Sequence, residues 1–429
     1  MSTIFQRPTM DYLLQELNTH LRSVQGHLQG KLHDELQKRL HNHEEGVLPD
    51  KELGQLATES IDLLHSIEQM LEPGHLVLAD HFLGYVHAKC LCAVVDLRIA
   101  DILRDQGPRT VEELASASEA QADRLGQVMR VLSNNGIFTY NQSTDKYENN
   151  HTATLLLHDH WTQWHNWVDL YGNQFYDMAR GIPKSLQKGV ARCPAQVNYD
   201  TDDGMFSFFL KQNWTAQLHR TLGGGATAQA PGILADYPWS EVADETIIDI
   251  GGGGGALIAL LLRAHSTMRG GIFDLPHVID HVTPFFHSPD GQFADLAARV
   301  PRENLIAGDF FKAIPPAAVY TIKWTLHDWK ESEAVTILRL IRQSIIPGPK
   351  SRLVVLESLL ADGRSARLSR YADMNMMMTA NGLERTEGDW RNLAEQSGWR
   401  IVRIIPLRNA WPCAIEMRPD VPRATGWSI

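Results

Sequence analysis

The chain has 429 residues, a formal net charge of −11 and 43% hydrophobic residues. That length implies two or three domains with sizeable apolar cores. The acidic balance argues against a nucleic-acid binder or a membrane-surface protein. No run of about 18 or more apolar residues is present, so no transmembrane helix is expected. Met1–Asn18 carries no apolar run ending in a cleavage site, so no secretory signal is expected and the cytoplasm is the expected location. The cysteines are Cys90, Cys92, Cys193 and Cys413. Cys90 and Cys92 lie in an apolar helical run and read as small buried thiols. With no Cys/His pair beside them, no metal site is expected.

Residues 1–72 read as an amphipathic helical arm. Leu13, Leu14, Leu17 and Leu21 recur at helical spacing, as do Ile61, Leu64, Ile67 and Leu71. The charged, breaker-containing stretch Asn42–Asp50 separates two predicted helices. Either a solvated packing arm or a dimer contact fits them. Residues 73–150 read as a small helical domain that ends in a hairpin. Thr110 and Glu113 form a capping-box pattern. A second helix presents Leu125, Val128, Met129 and Leu132 on one face, and Asn134–Tyr140 turns into a strand. This is a winged-helix pattern. DNA binding is not expected, because the second helix offers mainly Arg124 and Arg130 as cations.

Residues 151–238 read as a helical linker with a substrate-pocket segment. Trp161, Trp164 and Trp167 recur at about one turn, beside His165 and Asn166. An aromatic substrate pocket and ordinary core packing both account for them. Gly223-Gly224-Gly225 and the stretch to Pro238 read as the link into the next domain.

Residues 239–429 alternate between strand and helix. Strands are predicted at 246–250, 271–274, 304–307, 318–323, 352–357, 400–406 and 413–417. Helices are predicted at about 255–264, 275–284, 331–345 and 387–397. This implies a doubly wound, mostly parallel sheet with helices on both faces. Asp249-Ile-Gly-Gly-Gly-Gly-Gly255 joins a strand to a helix, where Gly251, Gly253 and Gly255 let the backbone turn and approach a ligand. Asp274 follows about 20 residues later, placed to accept hydrogen bonds from ribose hydroxyls. Asp309 beside Phe310 suits an adenine. Lys323-Trp324 runs into His327-Asp328-Trp329 at a strand's C-terminal end. No phosphate-binding signature accompanies these motifs. A nucleoside without pyrophosphate fits, which points to S-adenosylmethionine.

The motifs together resemble the plant and fungal small-molecule O-methyltransferases of the winged-helix-dimer type, over roughly residues 73–418. D-x-G-G-G-x-G, F-D-L-P, G-D-[MF]-F and K-W-x-x-H-D-W are matched in order, as are glutamate motifs at Leu356-Glu357 and Gly382-Leu-Glu-Arg-Thr386. The resemblance implies a Rossmann-like domain binding S-adenosylmethionine through Asp249, Gly251, Gly253, Asp274, Asp309, Phe310 and Lys323. It implies His327 as general base, held and tuned by Glu357 and Glu384. It also implies a homodimer, and a small-molecule substrate in a pocket bordered by Asp328. His165, Asn213 and Met377 are further pocket candidates. The chemistry agrees, since methyl transfer to a hydroxyl needs alignment and a proton acceptor, and histidine accepts protons near neutral pH.

Two departures bear on this reading. Where the family often has methionines after its linker helix, this chain reads Met205–Trp214. The linker also resembles that of leporin-type pericyclases, which share the fold and bind S-adenosylmethionine without transferring its methyl. There His165 would correspond to a pocket histidine that polarises a carbonyl. Those cyclases lack the histidine of H-D-W, whereas His327 is present here. An O-methyltransferase acting on a secondary metabolite is the expected function, with a pericyclase or dehydratase as the alternative.

Overall fold

The computed structural model describes residues 9–420. The arm holds helices at Met10–Gln29, His33–Leu40 and Lys51–Leu71. The short middle helix was not anticipated. None of the three buries a residue fully. Their polar faces need no partner, but Tyr12, Leu56, Leu63 and Met70 are more than half exposed. The arm touches the body at defined points. Trp161 Nε1 donates to the His43 carbonyl at 2.7 Å, and Arg408 Nη1 donates to the Pro49 carbonyl at 3.1 Å.

The next unit packs helices Gly84–Asp96, Ile99–Gln106, Val111–Ala117 and Ala122–Asn134 against a hairpin. Strands β1 (Phe138–Asn141) and β2 (Lys146–Asn149) pair antiparallel with Phe138 opposite Asn149. The capping box forms: Thr110 Oγ1 accepts from the Glu113 amide, and Glu113 Oε2 accepts from the Thr110 amide. Leu114, Leu125, Met129 and Leu132 are buried with Phe138 and Tyr147 in one core. Among the described residues no single helix is long and apolar enough to cross a membrane. The adjacent pair Gly74–Phe82 and Gly84–Asp96 is apolar enough together but bends by 46°.

The triple glycine does not form a link. Gly223–Gly225 lie inside one helix, Thr215–Asp236, which also contains Pro231. The glycines permit close packing rather than a turn. A Cβ on Gly225 would stand 2.4 Å from Trp167 Cζ2, and one on Gly224 would stand 3.2 Å from the Thr162 carbonyl oxygen. Helix Trp164–Leu170 is thereby brought against the long helix. Trp161 lies outside that helix, in the turn before it.

The C-terminal unit is a seven-stranded sheet in the order β5-β4-β3-β6-β7-β9-β8. The strands are β3 Thr246–Ile250, β4 Arg269–Asp274, β5 Leu305–Ala307, β6 Val319–Lys323, β7 Arg352–Glu357, β8 Trp399–Pro406 and β9 Cys413–Pro419. Strands β3 to β7 are parallel, and β9 runs antiparallel to both β7 and β8. Both faces are covered, so β3, β6 and β7 read as continuous apolar runs. Helices Ala256–Ala264 and Pro276–His287 seal one face; Glu331–Ser344 and Glu387–Gln396 seal the other. Each fully buried Ile, Leu or Val contributes roughly 1.5–3 kcal/mol. A further helix, Arg367–Ala380, was not among those predicted. Strand order reverses between β3 and β6, which opens a crevice at their carboxyl ends.

Gly225→Ala tests the helix packing. In an exposed helix this change stabilises by about 1 kcal/mol. Here overpacking against Trp167 is expected to destabilise by about 1–3 kcal/mol. A urea midpoint at or above that of the parent would refute the close contact.

Candidate active site

The loop after β3 turns through left-handed glycines: Gly251 at φ +68°, Gly253 at +53° and Gly255 at +76°. At Gly255 a Cβ would also meet Phe286 and Ile272 within 3 Å. The loop is pinned to β4, because the Gly253 amide donates to Asp274 Oδ2 at 2.9 Å. Asp274 Oδ1 accepts from the Leu275 amide at 2.7 Å. Nothing lies within 4 Å of the Cβ position of Gly253, so the loop borders open space beside a carboxylate. That arrangement suits a nucleoside whose sugar hydroxyls meet Asp274.

Asp249 stands beneath the loop, buried. Its Oδ1 accepts from Thr321 Oγ1 at 2.7 Å, and Oδ2 lies 3.0 Å from the Cβ position of Gly252. Burial pushes its carboxyl up to about 7, against the pull of the Thr321 hydrogen bond and of Lys323. The Lys323 ammonium lies 4.4 Å from the Trp324 ring centroid. Burial lowers its pKa, and Asp249 and Glu357 oppose that shift. Trp324 has φ +49°, an unusual conformation for a bulky side chain. On β5's side, Asp309 Oδ1 accepts from the Phe311 amide at 2.9 Å. Phe310 and Phe311 pack edge-on against Trp329, with ring centroids 6.0 and 4.7 Å away.

His327 sits in a single tight turn, Leu326–Asp328, after β6. Its Nδ1 lies 2.9 Å from Glu384 Oε1 and 3.3 Å from Glu357 Oε2. Both glutamates are buried. Glu357, the last residue of β7, holds the turn with its other oxygen, accepting from the Thr325 and Leu326 amides at 2.9 Å each. Nε2 makes no hydrogen bond among the described residues, and Asp328 Oδ1 is 3.8 Å from it. Burial alone would lower the His327 pKa. Glu357, Glu384 and Asp328 outweigh it and push it up to about 9. Burial also raises Glu357, and it lifts Asp328 to about 6. Nothing in the sequence suggested a metal cluster, yet the His327, Glu357 and Glu384 ligand atoms lie within 4.8 Å of one another, a spacing a metal ion would also accept.

The structure does not bring every predicted residue to this centre. His165 stacks on His158 with centroids 4.5 Å apart, and His158 Nε2 meets the Val95 carbonyl. His165 Nδ1 is buried without a partner. No hydrogen bond or ring contact joins His165 to His327 among the described residues. Asn213 is exposed and left-handed at φ +62°, with its amide on the Leu210 carbonyl; it ends a helix. Met377 is half-buried, and its neighbour Met378 joins the core with Phe175 and Phe209.

Sequence reasoning missed Arg385. It is wholly buried and donates to the carbonyls of Leu326 at 3.0 Å and Trp329 at 2.8 Å, bracketing the His327 turn. A cation directly after Glu384 was its only signal. Trp411 was also missed. It connects Trp324 at 6.3 Å to Trp167 at 4.7 Å, so an aromatic wall runs from β6 to the linker helices.

Comparison with known proteins bears on this geometry. Residues 161–400 match the model of the O-methyltransferase domain, and residues 79–159 match that of the O-methyltransferase dimerisation domain. The chain is 57% identical to the O-methyltransferase aclM of Aspergillus oryzae, over 97% of this chain and 96% of that protein. It is 48% identical to the O-methyltransferase verK of Clonostachys rogersoniana, over 96% of this chain and 100% of that one. The solved structure of the mitomycin 7-O-methyltransferase MmcR superposes with a TM-score of 0.63 at 26% identity, covering 81% of this chain and 98% of that one. The chain therefore belongs to the O-methyltransferase family. It is an S-adenosylmethionine-dependent O-methyltransferase, with a Rossmann-like sheet behind an N-terminal dimerisation domain.

Two expectations follow from the geometry. A Cβ on Gly382 would stand 2.1 Å from the His327 carbonyl oxygen, which also accepts from the Leu383 amide. Gly382→Ala should displace the histidine turn and lower kcat at least tenfold; a parental kcat would refute this. The second concerns stability. The His327 pKa rises from 6.5 to about 9 on folding. Its contribution is therefore fully present below pH 6.5 and lost as the pH rises through 9. Chemical denaturation should show parent stability falling relative to His327→Asn across that interval. Parallel curves would contradict the raised pKa.

Proposed function

We propose that the enzyme methylates a hydroxyl of an aromatic or polycyclic secondary metabolite, with His327 as the general base. The observation that carries this reading is the orientation of His327, with Nδ1 held by Glu384 and Nε2 left without a hydrogen-bond partner. When bound, S-adenosylmethionine supplies an electrophilic methyl on a sulfonium. Asp274, Asp309 and Phe310 would hold its nucleoside, with Gly251 and Gly253 forming the floor. Asp249 would support that floor from below, and Lys323 would face the cofactor's polar end. His327 Nε2 takes the acceptor's proton. Glu384 fixes the tautomer that leaves Nε2 basic, and Glu357 and Glu384 stabilise the imidazolium that results. A proton on Nδ1 is donated to Glu384 and lies beside Glu357, whose Oε2 is 3.3 Å from the nitrogen. With a pKa of about 9, His327 is protonated at neutral pH in the free protein; a cation bound nearby lowers that value.

The mitomycin enzyme's name and the aromatic wall through Trp164, Trp167, Trp411 and Trp324 support a natural-product acceptor. Asp328 and Met377 would border that pocket. Among the described residues no contact favours the ring-closing alternative, since His165 stacks on His158. The dimerisation domain supports a homodimer. Phe82, Leu83 and Tyr85, exposed within it, supply the apolar surface such a contact needs. A cytoplasmic location fits the reduced cysteines and the absence, among described residues, of a single membrane-crossing helix.

The test is mass spectrometry of the producer's metabolites with and without the gene. A precursor lighter than the product by one methylene is expected; equal masses would favour ring closure. In the purified enzyme, His327→Ala should lower kcat by about 10²–10⁴-fold. Glu384→Gln should lower the rate less and shift the rising limb of the pH–rate profile to lower pH. A limb that stays put would remove Glu384 from the base's tuning.

A further inference from the structure

The arm helix Lys51–Leu71 faces the segment 363–371 across a cavity of about 280 Å³. Asp62, His65 and Gln69 line it from the arm, and Arg364, Arg367 and Arg370 line it from the catalytic unit. The two sides are already joined, because Asp62 accepts from both the amide and the hydroxyl of Ser365 at 2.7 Å. Among the described residues Asp62 is the only acid lining the cavity, and its two oxygens are taken by Ser365. Arg370 donates to the carbonyls of Ala361 and Gly363, with exposed Asp362 at 3.5 Å. Arg367 donates to the Arg364 carbonyl. Among the described residues no carboxylate lies within 4.0 Å of the Arg364 or Arg367 guanidinium.

This is a local excess of positive charge in a chain of net charge −11. Arg364, Arg367 and Arg370 line the same cavity, and like charges repel. Arg367 and Arg370 also lie among the first four residues of helix Arg367–Ala380, whose first turn contains no acid. Cations there oppose the helix dipole. A bound anion removes both penalties, and the planar guanidinium fork matches a carboxylate or phosphate. The volume lies just under the roughly 300–1,000 Å³ of pockets for drug-sized ligands. It therefore suits a compact group rather than a whole acceptor molecule.

We propose that this cavity is a binding site for a small oxyanion, a phosphate or a compact carboxylate, bridging the N-terminal arm and the catalytic unit. Neither family match reaches the arm side of it. The test is calorimetric titration of the full-length enzyme in low-salt chloride buffer, with sodium phosphate in one arm and sodium citrate in the other. Saturable binding is expected for at least one, with a ligand-dependent rise in Tm. Arg364→Ala/Arg367→Ala should weaken binding at least tenfold and leave methyl transfer unchanged in the same chloride buffer without phosphate or citrate. Arg124→Ala/Arg302→Ala removes the same charge from exposed positions elsewhere and should keep the affinity. Binding of phosphate alone points to a phosphate source; binding of citrate alone points to a carboxylic acid. No saturable binding of either probe overturns the site, as does equal loss in the two double variants or undiminished affinity in the first.

Discussion

The candidate active site depends on placing two buried carboxylates against one nitrogen of an imidazole, His327 Nδ1. A single carboxylate would orient His327. Two of them, with Asp328 nearby, overcome the desolvation that would otherwise keep a buried histidine neutral. The arrangement requires structure well away from the ring. Glu357 ends a wholly buried strand, and Glu384 is held by its amide on Asp373 Oδ1 at 2.9 Å. Arg385 brackets the intervening turn by its carbonyls. The proposed base is thus positioned by β6, β7 and the loop after helix Arg367–Ala380.

The glutamates also link the base to the cofactor side of the crevice. Glu357 influences both His327 and Lys323, while Asp249 influences Lys323 from below. The site is therefore a connected charge system whose carboxylates are largely hidden from water. In the proposed arrangement a sulfonium brought beside these groups would act on each of them, which couples the protonation of His327 to cofactor binding.

How much of this was legible in the sequence follows physical lines. Motif residues at the ends of β3, β4, β6 and β7 were readable, because parallel strands buried on both faces leave continuous apolar runs that stop at the functional residue. Registers required the fold, whereas the pairing of His327 with Glu384, 57 positions away, was reachable through the family resemblance and not through local pattern. The glycine run at 223–225 misled because glycine signals a turn locally, whereas here it answers a contact made by Trp167 across space. The surroundings of His165 were likewise not legible: its neighbours in sequence are aromatic, but its ring stacks on His158. Arg385 was invisible as an organiser because its work is done on backbone carbonyls, which no side-chain pattern encodes.

The helix Thr215–Asp236 has a consequence for how a bulky acceptor enters. Its glycines are filled from outside: Trp167 lies against Gly225, and the Arg408 carbonyl oxygen stands 1.9 Å from the Cβ position of Gly232. The middle of the helix is thus keyed to the linker and its C-terminal part to the loop before β9. It behaves as a strut rather than a hinge. The aromatic wall and the sheet then travel as one piece, and any gate for the substrate must be formed by something else.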